Sequence, residues 1–387
     1  MWLASRRLST PGWLIKAWLS GDRSTRLCTA RPTWQTMSFR QGLYKKTFTN
    51  IEVNLVDVLE VDKNNMRQSV ANMVTNGPAG PARWKPLGLV PVAPSWTTES
   101  VSAWSMGTGV ETCRTSTDCS STSSTDENPD LFYAVPWSYG TLGFLASAVM
   151  KVIPAKKYVR LEYHPYTSLP ELSKRFQEES LKQNPHQFVE ALLYNKDQGV
   201  VMLGDMVDEI GSDGKYNPIG KWYSEWFFKQ VEKHLNARQS IVEYIPLRDY
   251  YHRHTKSLFW ELQDIISFGN NVIFRYLFGW LMPPEVSLLK LTQPEAVGRL
   301  YDRAHVIQDM LVPIQTLERA IQLFHDKFRV YPIWLCPFKV PNNPGQLRVS
   351  GDWQMFVDIG VYGVPKAPGF ETVSFINTTS SSPSYHP

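Results

Sequence analysis

The densest run of reactive side chains is Tyr250-Tyr251-His252-Arg253-His254-Thr255, followed closely by Phe259-Trp260-Glu261. In an extended stretch the two histidines, two positions apart, fall on the same side. Histidine is the side chain most easily tuned near neutral pH, and histidine and tyrosine can both hand a proton to a developing carbanion. Tyr251, His252 and His254 are therefore the candidate proton donors, set against the blander reading of the same residues as structural or surface-polar. A metal site needs a third ligand, and none stands beside the two histidines. The four cysteines, Cys28, Cys113, Cys119 and Cys336, form no CxxC pair and have no histidine at ligand spacing. Reduced, chemically silent thiols and no metal centre are the expectation.

Two glycine-bracketed segments could serve a different chemistry. In Met106-Gly107-Thr108-Gly109-Val110-Glu111-Thr112 the closely spaced glycines let backbone amides approach a phosphate, because no Cβ intervenes and positive φ is accessible. In Trp137-Ser138-Tyr139-Gly140-Thr141-Leu142-Gly143-Phe144 a turn runs into an apolar strand and could lay main-chain donors along the edge of a planar cofactor. Each segment also reads as an ordinary turn. No GxSxG, Walker or HExxH pattern occurs, so hydrolase, P-loop and zinc-protease chemistries lack their usual signatures.

The elements that must position these residues are those of a globular chain. At 387 residues it has length for two or three domains, and at 43% hydrophobic it has material for their cores. Aromatics reach 13%, a load that fills cores and also lines pockets for flat apolar ligands. A net charge of +4 with no block of Lys and Arg gives no nucleic-acid footprint. No apolar run approaches the ~18 residues of a spanning helix. The longest, Phe274 to Met282, contains Arg275 and stops at Pro283-Pro284, and is expected to be a buried element or a pocket wall.

Residues 43–62 alternate apolar and polar side chains through Ile51, Val53, Leu55, Val58 and Val61, which predicts strands with one buried face. From Arg67 the alternation fails. Between Thr112 and Thr125 ten of fourteen residues are Ser or Thr, which buries so little apolar surface that a mobile loop is expected. Asp130 to Tyr133 opens a short helix, and Gly140 to Ile153 reads as a strand. From Val159 to Phe370 helices and strands mix. One amphipathic helix is expected over Ile219 to Leu235 and another after Pro294, with Val297, Leu300, Tyr301 and Ala304 on one stripe. A third spans Ile314 to Phe328, with Leu317, Ala320, Ile321 and Phe324 inward. Strands follow at Val330 to Leu335 and Met355 to Tyr362. This order predicts an α+β fold with helices packed on a sheet face. The first thirty residues carry Arg6, Arg7, Lys16, Arg23 and Arg26 against the single acid Asp22, in the manner of either a transit peptide or an unfolded extension.

Two long blocks carry a family resemblance. One is DLFYAVPWSYGTLGFLASAVMKVIPAKKYVRLEYHP, from Asp130 to Pro165. The other runs from Glu243 as EYIPLRDYYHRHTKSLFWELQDIISFGNNVIFRYLFGWLMPPEVSLLKLTQ and resumes as HVIQDMLVPIQTLERAIQLFHDKFRVYPIWLCPF, ending at Phe338. Both resemble the delta(24)-sterol reductase family of vanillyl-alcohol-oxidase-like flavoproteins. The stretch from Cys28 to Asp62 is similar to the start of that family's flavin domain.

The resemblance implies a two-part PCMH-type FAD-binding domain over residues 28–158. An α+β cap over 159–370 would cover the flavin ring and hold substrate, between an N-terminal extension at 1–27 and a tail at 371–387. It implies that NADPH reduces FAD, that reduced flavin passes hydride to the sterol side chain, and that a proton completes the saturation, as in desmosterol to cholesterol. It also implies a place at the endoplasmic reticulum membrane. FAD contact is carried by resemblance onto Met106, Gly107, Thr108, Gly109, Val110, Glu111 and Thr112, and onto Trp137, Ser138, Gly140, Thr141 and Gly143. Residues 67–125 depart from the family pattern and lack apolar positions to close two sheets around an extended cofactor. Hence a partly disordered stretch is expected there, with a folded cap and a loose or cofactor-poor flavin domain. The other reading is a non-catalytic relative that keeps the cap and binds FAD or sterol at most weakly.

Overall fold

A computed structural model describes residues 27–30, 49–52, 58–71, 89–91, 110–116, 120–135, 144–281 without 238–239 and 258, and 305–368 without 345–348. The chain divides into two compact units, the first built mainly from residues up to Ala155 and the second mainly from Lys156 onward.

In the first unit, β1 (Leu27–Ala30) and β2 (Thr49–Glu52) pair in parallel. A second sheet joins β3 (Val58–Asp62), β4 (Arg67–Ala71), β5 (Leu89–Pro91), β6 (Val110–Ser116), β7 (Ser120–Ser124) and β8 (Phe144–Pro154). Its order is β3-β4-β8-β6-β7, with β5 paired to the end of β8. A short helix, α1 (Pro129–Ala134), precedes β8, with Pro129 in its first turn, where a missing N–H leaves no intrahelical bond unmade. Strand β8 is the long apolar spine expected from the sequence; β4 and β6 flank it.

The Ser/Thr run departs from expectation. Val110–Ser116 and Ser120–Ser124 form an antiparallel pair, with Thr112 opposite Ser124 and Ser116 opposite Ser120. Backbone groups make a ladder whatever the side chains, and β8 offers β6 a template along its other edge. The threonines, stiff at χ1, suit extended backbone despite their polarity. The described parts of residues 67–125 are likewise strands, β4 and β5 among them.

The second unit holds an eight-stranded sheet. Its strands are β9 (Tyr158–Tyr166), β10 (Phe188–Leu193), β11 (Gly199–Val207), β12 (Lys215–Tyr216), β13 (Ile241–Pro246), β14 (Val306–Pro313), β15 (Ile333–Pro341) and β16 (Trp353–Gly363). The order is β12-β13-β9-β11-β10-β15-β16-β14. Two helices cover one face: α2 (Leu169–Leu181), and α7 (Leu317–Lys327), which continues a 3-10 turn at Ile314–Thr316. Leu169, Leu172 and Phe176 recur along α2 at helical spacing, as do Leu317, Ile321 and Phe324 along α7. They meet alternate residues of the central strands: Val189, Ala191 and Leu193; Val201 and Leu203; Ile333 and Leu335; Val357, Ile359 and Val361. Each fully buried aliphatic side chain of this layer is worth about 1.5–3 kcal/mol relative to exposure.

The intervening strand positions point the other way, yet β10 is buried at all six residues. Both faces are therefore covered, which explains runs that read as continuous apolar strands rather than as alternation. The second cover comes from α3 (Phe227–Lys233), α4 (Leu247–Tyr251) and α5 (Glu261–Ile265). The helix expected over Ile219 to Leu235 is confined to α3 and a 3-10 turn at His234–Asn236. Upstream, backbone donors are taken by distant partners: the Gly220 N–H bonds Asp249 Oδ2 and the Trp226 N–H bonds Asn270 Oδ1. A helix α6 (Val272–Phe278) follows, capped by Asn271, whose Oδ1 accepts from the Ile273 and Phe274 amides.

Of the two expectations for the Phe274 stretch, a buried element or a pocket wall, the buried element is overturned. Ile273 is 66% exposed, Leu277 58% and Trp280 64%, with Phe268, Tyr276 and Phe278 also largely open. The Arg275 guanidinium donates to the Asn270 and Tyr223 carbonyls, so the cation turns inward while the apolar faces turn out. No helix among the described residues is long and apolar enough to cross a membrane. The expected helix after Pro294, the first 26 residues and residues 371–387 lie outside the described residues.

Candidate functional site

The reactive run found in the sequence lies on the second face of the eight-stranded sheet. Strand β10 places Glu190 there as the only acid in the otherwise apolar segment FVEALL. A buried carboxylate is costly unless partners replace its water. The Arg253 guanidinium supplies two, with Nε donating to Oε1 at 2.9 Å and Nη2 donating to Oε2 at 2.8 Å. Trp334 Nε1 donates to Oε2 at 3.0 Å, and the Tyr250 hydroxyl reaches Oε1 at 3.4 Å. Burial opposes ionisation of Glu190, but the Arg253 charge, the neighbouring His254 and the Arg253 hydrogen bonds outweigh it and hold the carboxyl far below its usual range. Arg253 also donates to the Tyr250 carbonyl and stacks over the Tyr250 ring, 4.2 Å from its centroid, which closes the turn after α4.

The three candidate donors do not converge on one point. His254 is 5% exposed and lies flat on Phe259, ring centroids 4.4 Å apart, with Phe227 edge-on. Its Nε2 is 3.6 Å from Glu190 Oε2, beyond hydrogen-bond reach, and burial drives its pKa down to about 4. His254 is thus neutral near pH 7. His252 ends α4, its Nδ1 3.4 Å from Thr255 Oγ1, and burial lowers its pKa as well. Tyr251 meets the Phe188 ring edge-on, and burial pushes its phenol up to about 12. Such a phenol stays protonated at neutral pH.

Around this cluster the sheet face is aromatic. Phe259 contacts His254, Trp260, Trp334 and Tyr362, and Trp260 Nε1 donates to the Tyr362 carbonyl at 2.6 Å. Phe259 holds a positive φ of 59°, a conformation few aromatic residues adopt, secured by its N–H bond to the His254 carbonyl at 3.0 Å. Further along, β14 and β16 bring Asp309, Asp358 and Tyr362 onto the same face. Sequence reasoning missed Glu190, Trp334, Asp309 and Asp358. The available signal was an isolated acid within an apolar strand, as in FVEALL, VIQDMLV and MFVDIGVY.

Of the cofactor candidates in the first unit, Val110, Glu111 and Thr112 begin β6. Met106, Gly107, Thr108 and Gly109 lie outside the described residues, as do Trp137, Ser138, Gly140, Thr141 and Gly143. The strands that these segments lead into are described, however, and pair with each other. Val110 stands opposite Met150, whereas Phe144, the first residue after the second turn, stands opposite Ser116. The first residues of β6 and β8 are thus at opposite ends of one ladder, six residues apart along β8, or about 20 Å at strand rise.

No family model matches the chain. Among curated proteins, the delta(24)-sterol reductases of Macaca fascicularis and Homo sapiens are each 47% identical to it over 377 residues, spanning 93% of this chain and 73% of the relative. The delta(24)-sterol reductase of Arabidopsis thaliana is 36% identical over 383 residues, spanning 88% of this chain and 68% of the relative. These spans exceed the separate blocks on which the sequence resemblance rests and take in most of the stretch that departs from the family pattern. The chain belongs to the delta(24)-sterol reductase family.

Proposed function

We propose that this chain reduces the side-chain double bond at carbon 24 of sterols, the desmosterol-to-cholesterol type of reaction, with FAD as the resident cofactor and NADPH as the reductant. The observation that carries this reading is 47% identity, over 93% of the chain, to enzymes named for that reaction. FAD, when bound, supplies the hydride that such a reduction needs.

The chain's own residues would hold, orient and protonate. For the flavin, the glycine-bracketed segments Met106–Thr112 and Trp137–Gly143 are the proposed contacts, within a PCMH-type domain over residues 28–158. The strand starts that follow them, about 20 Å apart on the β6–β8 ladder, suit an extended dinucleotide held at both ends better than a compact ligand. For the sterol, residues 159–370 are the proposed cap. The buried cluster of Phe259, Trp260, Trp334 and Tyr362 supports that role as the rigid apolar backing that sites for flat apolar ligands need. Tyr251, His252 and His254 remain candidate donors, with Tyr251 the one held protonated at neutral pH. No residue is assigned to NADPH.

A place at the endoplasmic reticulum membrane is proposed from the same family reading, and the exposed apolar surface of α6 supports it. Tyr276 and Trp280, each an apolar ring with a polar handle, are the kind of residue that settles at a lipid–water boundary.

The test is anaerobic. Purified protein reconstituted with FAD should lose flavin absorbance when NADPH is added and regain it when desmosterol follows. Tight FAD binding without either response would favour the non-catalytic relative, and failure to hold FAD at all would sink the cofactor assignment.

A further inference from the structure

Helix α6 is fastened to its unit in a way that reverses the usual arrangement of a water-facing helix. None of its seven residues is buried. Val272, Ile273, Tyr276, Leu277 and Phe278 are all exposed, as are Phe268 before the helix and Trp280 after it. At about 100° per residue these positions spread over most of the helix circumference instead of along one stripe. What holds α6 is polar. The Arg275 guanidinium donates to the Asn270 and Tyr223 carbonyls, and the Asn270 side chain accepts from the Trp226 amide while donating to Glu225. Between Ile265 and Pro284 Arg275 is the only charged residue, so the one charge of the stretch is the one turned inward.

A second segment extends the same surface. Tyr223 stacks on Tyr276 with ring centroids 5.2 Å apart, and the Trp222 carbonyl lies 3.0 Å from where a Cβ on Gly279 would stand. Trp222 is itself 45% exposed. Lys256 pins this loop by donating to the Lys221 and Ser224 carbonyls. The exposed Lys221 ammonium lies 5.6 Å from the Tyr223 ring centroid. A hydrogen bond with Tyr223, ahead of the nearby phenols of Tyr216 and Tyr276, raises its pKa. Tyrosine hydroxyls and a cation therefore gather at one edge of the apolar surface.

A bilayer, a second copy of the chain and another protein are the occupants such a surface invites. The hydrogen bonding favours lipid. A bilayer interior supplies no water, so polar groups entering it must be satisfied within the protein. Trp280 Nε1 donates to the Leu277 carbonyl at 3.0 Å, although a ring 64% exposed is free to donate to water instead. The Ile273 and Phe274 amides donate to Asn271 Oδ1, and the Arg275 amide to the Asn271 carbonyl. Before the helix, the Gly269 and Asn271 amides donate to the Ile266 and Phe268 carbonyls. A partner helix would cover one stripe of anchors. A surface exposed almost all round, with its own donors satisfied, suits a fluid medium of no fixed shape.

We propose that residues 268–281, with Trp222 and Tyr223, form an in-plane insertion element that enters the acyl region of a phospholipid bilayer, with Lys221 meeting lipid phosphates at its edge. The inference rests on the membrane placement proposed above and adds a means of attachment: an element that lies in the interface instead of crossing it. The tyrosine hydroxyls and Lys221 set its depth, because their polar ends settle at the headgroup level.

The experiment measures hydrogen exchange of the purified full chain with and without phosphatidylcholine vesicles. Insertion is read separately, as the rise in surface pressure when the chain is injected beneath a phosphatidylcholine monolayer. Peptides covering 268–281 and 217–226 should gain protection on vesicles, and the monolayer pressure should rise. Phe268→Ser and Leu277→Ser, both at exposed positions, should keep the wild-type circular dichroism and each lose about tenfold in vesicle partitioning. Lys221→Gln should lose about fivefold on vesicles containing phosphatidylserine and less on phosphatidylcholine alone.

Vesicle binding without protection of 268–281, or with unchanged partitioning of both Ser variants, would overturn the proposal and leave the membrane placement to another part of the chain. Self-association in sedimentation that Leu277→Ser abolishes, with its vesicle partitioning still at the wild-type level, would make the surface an interface between copies and overturn the proposal too. If the wild-type chain ignores vesicles and monolayers altogether, this inference and the membrane placement fall together. Turnover of detergent-dispersed desmosterol then shows whether the reductase reading stands without them.

Discussion

Arg253 and Glu190 form a two-point ion pair in which both side chains are buried, joined Nε to Oε1 at 2.9 Å and Nη2 to Oε2 at 2.8 Å. The pair spans 63 residues of sequence and fastens the turn after α4 to the centre of the sheet. Removing one partner strands the other charge in the interior, which costs about 3–5 kcal/mol. Arg253→Met should therefore lower unfolding free energy by that amount in urea titration. Glu190→Gln should cost less than Glu190→Ala, because the amide oxygen still accepts from Arg253 and Trp334.

His254 gives the fold a dependence on acid. Its imidazole is neutral in the folded protein, with a pKa near 4, and titrates near 6.5 when unfolded. The unfolded chain therefore takes up the proton first as pH falls. The stabilisation is complete above about pH 6.5 and is lost on descent from 6.5 to about 4. Thermal melting across that range should show a shallower slope for His254→Phe than for wild type. Equal slopes would remove His254 from the acid response.

Asp358 acts in the opposite sense. Its folded pKa, about 8, lies above the unfolded value of about 3.9, so its favourable contribution is full only below ~4 and declines as pH rises to about 8. Asp358→Asn should thus be more stable than wild type at pH 9, with the advantage shrinking towards pH 5. Parallel curves for the two proteins would contradict the buried neutral acid.

The open face of α6 leads to a membrane prediction. Ile273→Asp and Leu277→Asp place charges on positions 66% and 58% exposed, so folding stability should change by less than about 0.5 kcal/mol. Association with phosphatidylcholine vesicles in a flotation assay should fall sharply. Unchanged flotation would remove α6 from membrane contact.

Much of the second unit was legible because its helices have one buried stripe. Leu317, Ile321 and Phe324 on α7 are buried at the predicted spacing, and the strands at Ile333 and Met355 fall where apolar runs suggested. The α6 segment misled because apolar composition carries no direction: the sequence shows Phe274, Tyr276 and Leu277 but not that Arg275 would turn inward to two carbonyls. The Ser/Thr run misled because a ladder needs only backbone partners, and β8 supplies them. The buried acids were invisible for a related reason. Glu190 and Arg253 become partners only when β10 and the turn after α4 meet, and Asp309 meets Asp358 only through the β14–β16 register.

The most direct test of the reductase reading is turnover of desmosterol with NADPH. Purified chain loaded with FAD should yield the sterol saturated at carbon 24, with one NADPH oxidised for each double bond reduced. Protein that binds FAD, contains both units folded and still leaves desmosterol unchanged would contradict it.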